Sequence, residues 1–357
     1  MAEVKLPELG KIDRRFFDEV IYPRLGAKDD SVILGPQHGV DFGVVQIGDF
    51  VMVSSADPVY IAPALGWERA AWFALHILAS DVAVSGVRPR YLSIDLNLPP
   101  EMTEDILEEI WDTIHREAEK LGIAIVSGHT ARYAGCNYPM VGGATIIGVD
   151  HKSKLVDPRS VQVGDKVIVT KGAAVETTGL MSVQFPEFIE EAYDAETVKR
   201  AQDVFYQMSV VKDCAILSEV GGVHAMHDAT ECGVWGGLYE MAEAGNYGLR
   251  IHPEKILVQD VVAKTCEVFD IDPFKAISEG TLIAVVAPEK ADQALKALAT
   301  EGIPASVVGE VTSREEGTWL VYEDGRKEPL EHPKVDPFWI RFEEFLVKQK
   351  ERQSSQG

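Results

Sequence analysis

Cysteine and positive charge are both scarce in this sequence of 357 residues. Its four cysteines, Cys136, Cys214, Cys232 and Cys266, are far apart and form no CxxC pair, which argues against a disulfide framework and a zinc knuckle. Lys and Arg number 34 against 57 Asp and Glu, giving a net charge of −23. Such a chain repels a phosphate backbone, so we expect no nucleic-acid partner.

Long hydrophobic runs are also missing. No apolar stretch approaches the ~18 residues that a membrane span needs, and the N-terminus is charged throughout rather than built like a signal peptide. We therefore expect a cytoplasmic protein with no membrane partner. Hydrophobic residues make up 46% of the chain and charged residues 25%, which suits a folded protein, and the length predicts two domains.

Strand and helix patterns occur in both halves of the chain and predict an α/β (α+β) fold. Val44–Ile47 and Phe50–Ser54 flank Gly48-Asp49 and predict a hairpin. Small apolar residues recur every three or four positions from Trp67 to Val82, which predicts a helix that packs closely on a sheet. Thr103 is expected to cap a second helix, which should stop at Gly122.

The second half begins after a charged segment. Residues 151–164 contain Pro158 and predict a junction between domains spanning 1–155 and 156–345. The polar tail, residues 346–357, is expected to fray after Gln349. Within the first half, Ile123–Val126 predicts a short buried strand and Met140–Val149 a single longer one.

Four aspartates are candidates for chemistry. Asp41, Asp57 and Asp228 lie beside glycine in loops or at predicted strand ends, and Asp81 lies in an alanine-rich helix, where an ionised carboxylate needs a partner. Mg²⁺ bound with a nucleotide would be such a partner, because it takes carboxylate and phosphate oxygens. Each aspartate taken alone is better explained as a cap or turn residue. The common phosphate loops, GxxxxGK[ST] and GxGxxG, do not occur.

A histidine-based metal site is the alternative. His224, His227 and Asp228 lie at one predicted strand end. Residues at i and i+3 on a strand point to opposite faces, so both rings reach one ion only if the strand bends.

Five short stretches occur in a characteristic order: Gly39-Val-Asp-Phe-Gly-Val-Val45, Ser54-Ser-Ala-Asp57, Ser80-Asp-Val-Ala-Val-Ser-Gly86, Ser127-Gly-His-Thr130 and His227-Asp-Ala-Thr-Glu-Cys-Gly233. This series resembles the AIR synthase (PurM-like) superfamily over about residues 35–311. The resemblance implies a PurM-like fold, with an N-terminal α/β domain that dimerises and a C-terminal α/β domain. It also implies ATP as cofactor, held between domain and partner.

Within the superfamily, the hydrogenase maturation factors called HypE are the most similar subgroup. The stretches that resemble them are 223–230, 266–273 and Ser278-Glu-Gly280. The sequence departs from HypE at Val40, at Glu231-Cys232 in place of Arg-Gly, and in having no Cys beyond Cys266. HypE carries its substrate carbamoyl group on a C-terminal Cys, so we expect this chain to act on a separate acceptor instead.

The resemblance also implies site residues. Four carboxylates are expected to bind Mg²⁺ and the phosphates of ATP: Asp41, Asp57, Asp81 and Asp228. Asp81 and Asp228 are further expected to take part in catalysis together with His129, which stands where HypE-like members carry Asp. Nucleotide contacts are expected from four more residues: Thr130, Gly142, Gly143 and Thr230.

The function implied is ATP- and Mg²⁺-dependent phosphorylation of a carbonyl-type oxygen, in hydrogenase maturation or a related pathway. The acceptor would be a small molecule or a group on a protein, and the implied partners are a second copy of the chain and other maturation factors. Two alternatives stay open: a nucleotide-binding partner protein without turnover, and a small-metabolite kinase similar to thiamine-monophosphate kinase.

Overall fold

The computed structural model describes residues 14–356, so the charged N-terminal stretch, residues 1–13, lies outside them. The strands are β1 (Val32–Leu34), β2 (Gly43–Ile47), β3 (Phe50–Asp57), β4 (Tyr60–Ile61), β5 (Pro89–Leu98), β6 (Ala124–Arg132), β7 (Met140–Val141), β8 (Gly143–His151), β9 (Lys166–Thr170), β10 (Val223–Asp228), β11 (Gly248–Ile251), β12 (Leu282–Val286), β13 (Ala305–Thr312), β14 (Trp319–Val321) and β15 (Lys327–Pro329). The helices are α1 (Arg14–Phe16), α2 (Trp67–Ala83), α3 (Glu104–Leu121), α4 (Val175–Gln184), α5 (Pro186–Ala192), α6 (Ala195–Asp203), α7 (Val211–Val220), α8 (Gly233–Gly245), α9 (Asp260–Phe269), α10 (Ala291–Thr300) and α11 (Pro337–Gln356).

A six-stranded mixed sheet, in the order β1-β2-β3-β8-β5-β6, forms the N-terminal part. Only β5 and β6 pair in parallel, joined by the crossover helix α3. Helix α2 packs on β3 and β8, and α3 packs on α2. On β5, Leu92, Ile94 and Leu96 are buried, whereas Ser93 and Asp95 between them are partly exposed. One face of this sheet is therefore core, and the other is polar.

Local signals in the sequence account for the elements that position this sheet. The hairpin β2–β3 turns at Gly48, whose φ of 63° suits glycine. In α2, Ala70, Ala71 and Ala79 are buried, and their small size allows close packing. These predictions are confirmed, as is α3 with its two caps. The Thr103 hydroxyl accepts the Ile106 N–H at 3.4 Å, and the helix ends at Gly122 in the left-handed conformation.

A seven-stranded mixed sheet, in the order β10-β12-β9-β13-β11-β14-β15, forms the C-terminal part. All five residues of β12 are buried, since helices cover both faces. Helix α8 packs against β10 and β12 with Trp235 and Leu238 in one buried cluster, while α7 and α10 pack with the other. The predicted fold of two α/β parts is confirmed.

Several local predictions are wrong. The stretch 123–126 is not a short buried strand, because β6 continues to Arg132 along the sheet edge and is mostly exposed. The predicted strand 140–149 is interrupted at Gly142, where a Cβ would lie 2.2 Å from the Asp95 carbonyl oxygen. The tail is not frayed after Gln349, since α11 extends to Gln356.

Helix α11 is held by aromatic contacts that its polar ending concealed. Phe342 lies 5.3 Å from Phe185, and Phe345 lies 4.7 Å from Phe269, measured between ring centroids. The Gln349 side chain donates to the Gln184 carbonyl at 3.0 Å. This packing stabilises α11 against α4, α5 and α9.

The two sheets are tied together through α2. His76 Nδ1 lies 2.9 Å from the Ser209 hydroxyl, and the Val210 N–H donates to the Ser80 hydroxyl at 3.1 Å. Among residues 14–356, no helix has the length and apolar character needed to cross a membrane.

Candidate active site

The loop before β2 meets the end of β10 at a charged contact. Asp41 Oδ2 lies 2.9 Å from Nδ1 of the buried His227 ring. Burial disfavours the charged ring, but Asp41 and Glu240 outweigh it and raise the pKa of His227 to about 10. The ring is therefore an imidazolium that holds the Asp41 carboxylate in place.

Asp81 is buried on α2 and faces β3. The Ser55 hydroxyl donates to Asp81 Oδ2 at 2.7 Å. Burial raises the pKa of Asp81 well above its usual range, and the nearby charges of Asp41, Asp57 and Asp228 raise it further. Asp41, Asp57 and Asp228 therefore all lie close enough to Asp81 for their charges to disfavour its ionisation.

Asp228 ends β10 and is completely buried. The Gly280 N–H donates to its Oδ1 at 2.9 Å, whereas its Oδ2 accepts no N–H or hydroxyl hydrogen bond from the described residues, and the acidic Glu279 side chain lies close enough to share a proton with Asp228. Burial raises its pKa to about 6, partly offset by Glu279, Lys171 and the Gly280 N–H. A buried carboxylate oxygen without a donor is costly, and a cation would satisfy it.

Further acids surround Asp228, and their roles were not apparent from the sequence. The Glu279 N–H donates to the Glu176 carboxylate at 3.0 Å, and burial raises the pKa of Glu176 to about 8. Asp336, just before α11, accepts the Cys232 N–H at 2.6 Å. Glu279 belongs to the stretch Ser278-Glu-Gly280 noted above, which was the available signal.

A cavity of about 660 Å³ opens on the polar face of the N-terminal sheet. Four segments line it, one each from the end of β3, from β5, from β6 and from the start of β8. Their residues are Ala56, Asp57, Pro58, Ser93, Ile94, Asp95, Ser127, Gly128, His129, Gly142, Gly143, Ala144 and Thr145. His129 Nε2 lies 3.0 Å from the Tyr133 hydroxyl, and the Ser93 and Ser127 hydroxyls lie 2.7 Å apart.

The predicted site residues thus fall into two groups that share Asp57. Asp41, Asp57, Asp81 and Asp228 gather where the two sheets meet, and Asp57, His129, Gly142 and Gly143 line the cavity. Two predicted nucleotide contacts belong to neither group. Thr130 is exposed on β6 and does not line the cavity, and the Thr230 carbonyl accepts the Ser278 N–H at 3.2 Å.

The carboxylates around Asp81 and Asp228 would bind a cation only together with the phosphates of a bound nucleotide. Within the part of the chain that the structure covers, no three His, Cys, Asp or Glu side chains could hold a metal ion by themselves. The orphaned Asp228 oxygen and the repulsion around Asp81 do fit Mg²⁺, provided that nucleotide phosphates complete its shell. The histidine alternative is not formed: His224 pairs with Asp165 at 2.7 Å and His227 pairs with Asp41.

Comparison with known proteins identifies the fold and the family. The N-terminal domain of AIR synthase related protein matches residues 39–149, and its C-terminal domain matches residues 162–321. A Methanocaldococcus jannaschii protein named for hydrogenase expression/formation is 26% identical over 322 residues, covering 89% of this chain and 93% of that protein. Carbamoyl dehydratase HypE of Escherichia coli is 27% identical over 268 residues, covering 72% and 75% respectively.

Solved structures agree. The crystal structure of E. coli HypE aligns with a TM-score of 0.69 and 25% identity, over 80% of this chain and 87% of that one. HypE in complex with ATP aligns with a TM-score of 0.65 at 22% identity, over 91% and 93%, and a HypE–HypF complex aligns at 0.66 and 19%, over 81% and 93%. These last two show the shared fold.

The chain belongs to the AIR synthase-related family, whose members are ATP-dependent enzymes. Within it, the chain is HypE-like, because proteins of hydrogenase maturation match most of its length. The predicted resemblance, fold and enzyme class are confirmed at this level.

Proposed function

We propose that this protein is an ATP- and Mg²⁺-dependent enzyme that phosphorylates a carbonyl-type oxygen of an acceptor. The observation that carries the proposal is the gathering of Asp41, Asp57, Asp81 and Asp228, with a buried Asp228 oxygen that no N–H or cationic group contacts among residues 14–356. The ATP complex of HypE and the name carbamoyl dehydratase support the cofactor and the acceptor chemistry.

Asp81 and Asp228 would hold Mg²⁺, with Asp41 and Asp57 beside them. The bound ion would neutralise charge on the phosphates during transfer. In that transfer the acceptor's carbonyl oxygen forms a bond to the γ-phosphorus, the bond to the bridging oxygen breaks, and its electron pair leaves with ADP.

The protein's own residues supply orientation. The Ser55 hydroxyl fixes one oxygen of Asp81, the Gly280 N–H fixes one oxygen of Asp228, and the His227 ring fixes one oxygen of Asp41. Each contact engages a single carboxylate oxygen and sets the direction of the other. Positioning of this kind supplies much of the rate in phosphoryl transfer.

The acceptor group would be carried by a separate molecule, either small or a protein. The complex of a HypE with HypF supports a maturation factor as partner in hydrogenase maturation or a related pathway. Edge strand β6 of the six-stranded sheet is exposed, and it is the strand along which a second copy of this chain would pair.

One observation favours a second candidate, a nucleotide-binding partner protein without turnover. His227 already supplies a positive charge to Asp41, and this contact offsets part of the charge that a metal ion would offset. The small-metabolite kinase has less support, because relatives that match most of this chain are named for hydrogenase expression or as carbamoyl dehydratase.

Calorimetric titration with ATP, with and without Mg²⁺, tests the proposal. We expect Mg²⁺-dependent binding that weakens at least tenfold in Asp81→Asn and Asp228→Asn. Asp112→Asn, on the exposed surface of α3, is the matched control and should bind normally. Unchanged affinity in both site variants would refute the assigned roles.

Phosphate release separates the two candidates. The enzyme should release ADP and phosphate when a carbamoyl acceptor is present, and the Asp228→Asn variant should not. Tight binding of Mg²⁺ and ATP without release, across carbamoyl, carboxamide and phosphate acceptors, would support the partner protein.

A further inference from the structure

Two rows of polar residues cross the open face of the N-terminal sheet. The pairing register places Ser93 of β5 beside Ser127 of β6, and Asp95 beside His129. On the other side of β5, Asp95 is paired with Gly143 of β8. Because alternate residues of a strand share a face, both rows point into the cavity described above.

Asp95 is the member of these rows with unmet bonding capacity. The Asn97 side chain donates to Asp95 Oδ2 at 3.0 Å, which fixes the carboxylate. Its Oδ1 is buried and accepts no hydrogen bond from any residue that the structure describes. Gly143 leaves room beside it, since a Cβ at Gly143 would meet no atom within 4 Å.

The lining of the cavity determines which ligands suit it. Asp57 and Asp95 contribute carboxylates, Ser93, Ser127 and Thr145 contribute hydroxyls, and none of the lining residues is Lys or Arg. An anionic group placed there without a metal ion would be repelled, whereas an N–H donor would satisfy Asp95 Oδ1 once rotation of the carboxylate brings that buried oxygen to the cavity. Serine hydroxyls can donate to a carbonyl oxygen, so a primary amide matches both kinds of partner.

We propose that Asp95 is a specificity-determining residue that accepts an N–H from the acceptor's carbamoyl or carboxamide group. This inference rests on the proposed function and names the acceptor class of the same site. Asp57 lines the cavity and also lies near Asp81, so an acceptor bound at Asp95 is next to the carboxylates proposed to hold Mg²⁺ and ATP.

The test compares two probes in the presence of Mg²⁺ and a non-hydrolysable ATP analogue. S-carbamoylcysteine has N–H donors, and its N,N-dimethylcarbamoyl analogue has none. The wild-type chain should bind the first at least tenfold more tightly than the second. Asp95→Asn and Asp95→Ser should lose this preference while retaining nucleotide affinity, because Asp95 is not one of the four aspartates proposed to hold Mg²⁺ and ATP. Asp150→Asn, at the far end of β8, is the matched control and should keep the preference.

The outcomes distinguish this inference from the function on which it rests. If nucleotide binds but the wild type shows no preference, or the Asp95 variants keep it, the role of Asp95 is overturned and the proposed function stands. If the wild type binds no nucleotide with Mg²⁺, both are overturned. Circular dichroism and melting temperature show whether each variant is folded. If Asp95→Asn is not folded, the binding preference of Asp95→Ser decides the test.

Discussion

Asp41 and His227, which are 186 positions apart in sequence, lie 2.9 Å apart and form an ion pair between the loop before β2 and strand β10. The next residue along β10, Asp228, is a proposed metal ligand. Strand geometry turns Asp228 to the opposite face from His227. By holding Asp41 against β10, the ion pair sets the position of the Asp41 carboxylate relative to that of Asp228.

Replacing His227 should disturb nucleotide binding. In His227→Gln the positive charge is lost and Asp41 is no longer held, so we expect the affinity for ATP with Mg²⁺ to fall about tenfold, or about 1.4 kcal/mol. Calorimetry measures this directly. His224→Gln is the control, because His224 pairs with Asp165 instead of Asp41, and its nucleotide affinity should be unchanged. Equal effects of the two substitutions would contradict the positioning role.

A buried ion pair next to the site should be important for stability. Lys171 Nζ lies 2.7 Å from Asp213 Oδ1, and both side chains are almost fully buried. Lys171→Met leaves the Asp213 charge without its partner, so the free energy of unfolding should fall by about 3–5 kcal/mol. The double variant Lys171→Met/Asp213→Leu should recover most of this loss in urea unfolding. Lys212→Met, which breaks an exposed pair with Glu301, should cost less than about 1 kcal/mol.

His76 should make the fold sensitive to acid. Burial lowers its pKa from 6.5 to about 4, and Glu117 offsets only part of this. Between these values the unfolded chain binds a proton that the folded chain does not, so stability falls as the pH drops from 6.5 to 4. We expect this contribution to be roughly 3 kcal/mol. The fall in the free energy of unfolding between pH 6.5 and pH 4 should be smaller by this contribution in His76→Gln than in the wild type. It should be the same as in the wild type in His115→Gln, whose ring is exposed.

Glu176 should have the opposite dependence. Its pKa is raised to about 8, chiefly by burial, whereas the unfolded carboxyl ionises near 4.5. The folded chain keeps a proton that the unfolded chain has released, so this stabilising contribution is lost as the pH rises from 4.5 to 8. Glu176→Gln cannot ionise, and its stability relative to wild type should therefore improve by several kcal/mol between pH 5 and pH 8. Urea unfolding at both pH values tests this, and exposed Glu196→Gln should show no such change.

Features set by neighbouring residues were predictable from the sequence. The cap at Thr103 and the stop at Gly122 depend on a few adjacent positions, and both predictions are confirmed. Helix α11 was not predicted, although Phe338, Phe342 and Phe345 recur at helical spacing, because the polar residues after Gln349 concealed its apolar face. Strand β6 was predicted too short, since its pairing with β5 is decided by tertiary structure.

The site could be predicted only in part. The four aspartates were identified from their motifs, and their proximity is seen in the structure. Asp95 was missed, although the alternation of polar residues at 93, 95 and 97 was visible in the sequence. Its significance depends on the register between β5, β6 and β8, which are brought together by α3 and the β6–β8 connection. No pattern within one strand fixes that register.

The ties across the two sheets also restrict how the halves can move. One tie joins α2 to residues 209–210 through His76 and Ser80, and the other is the contact between Asp41 and His227. Helix α2 also packs on α7 and β10, and one continuous hydrophobic cluster contains residues of both halves. Displacing one half relative to the other would therefore expose apolar side chains as well as break these hydrogen bonds, so the structure favours a fixed arrangement of the two halves.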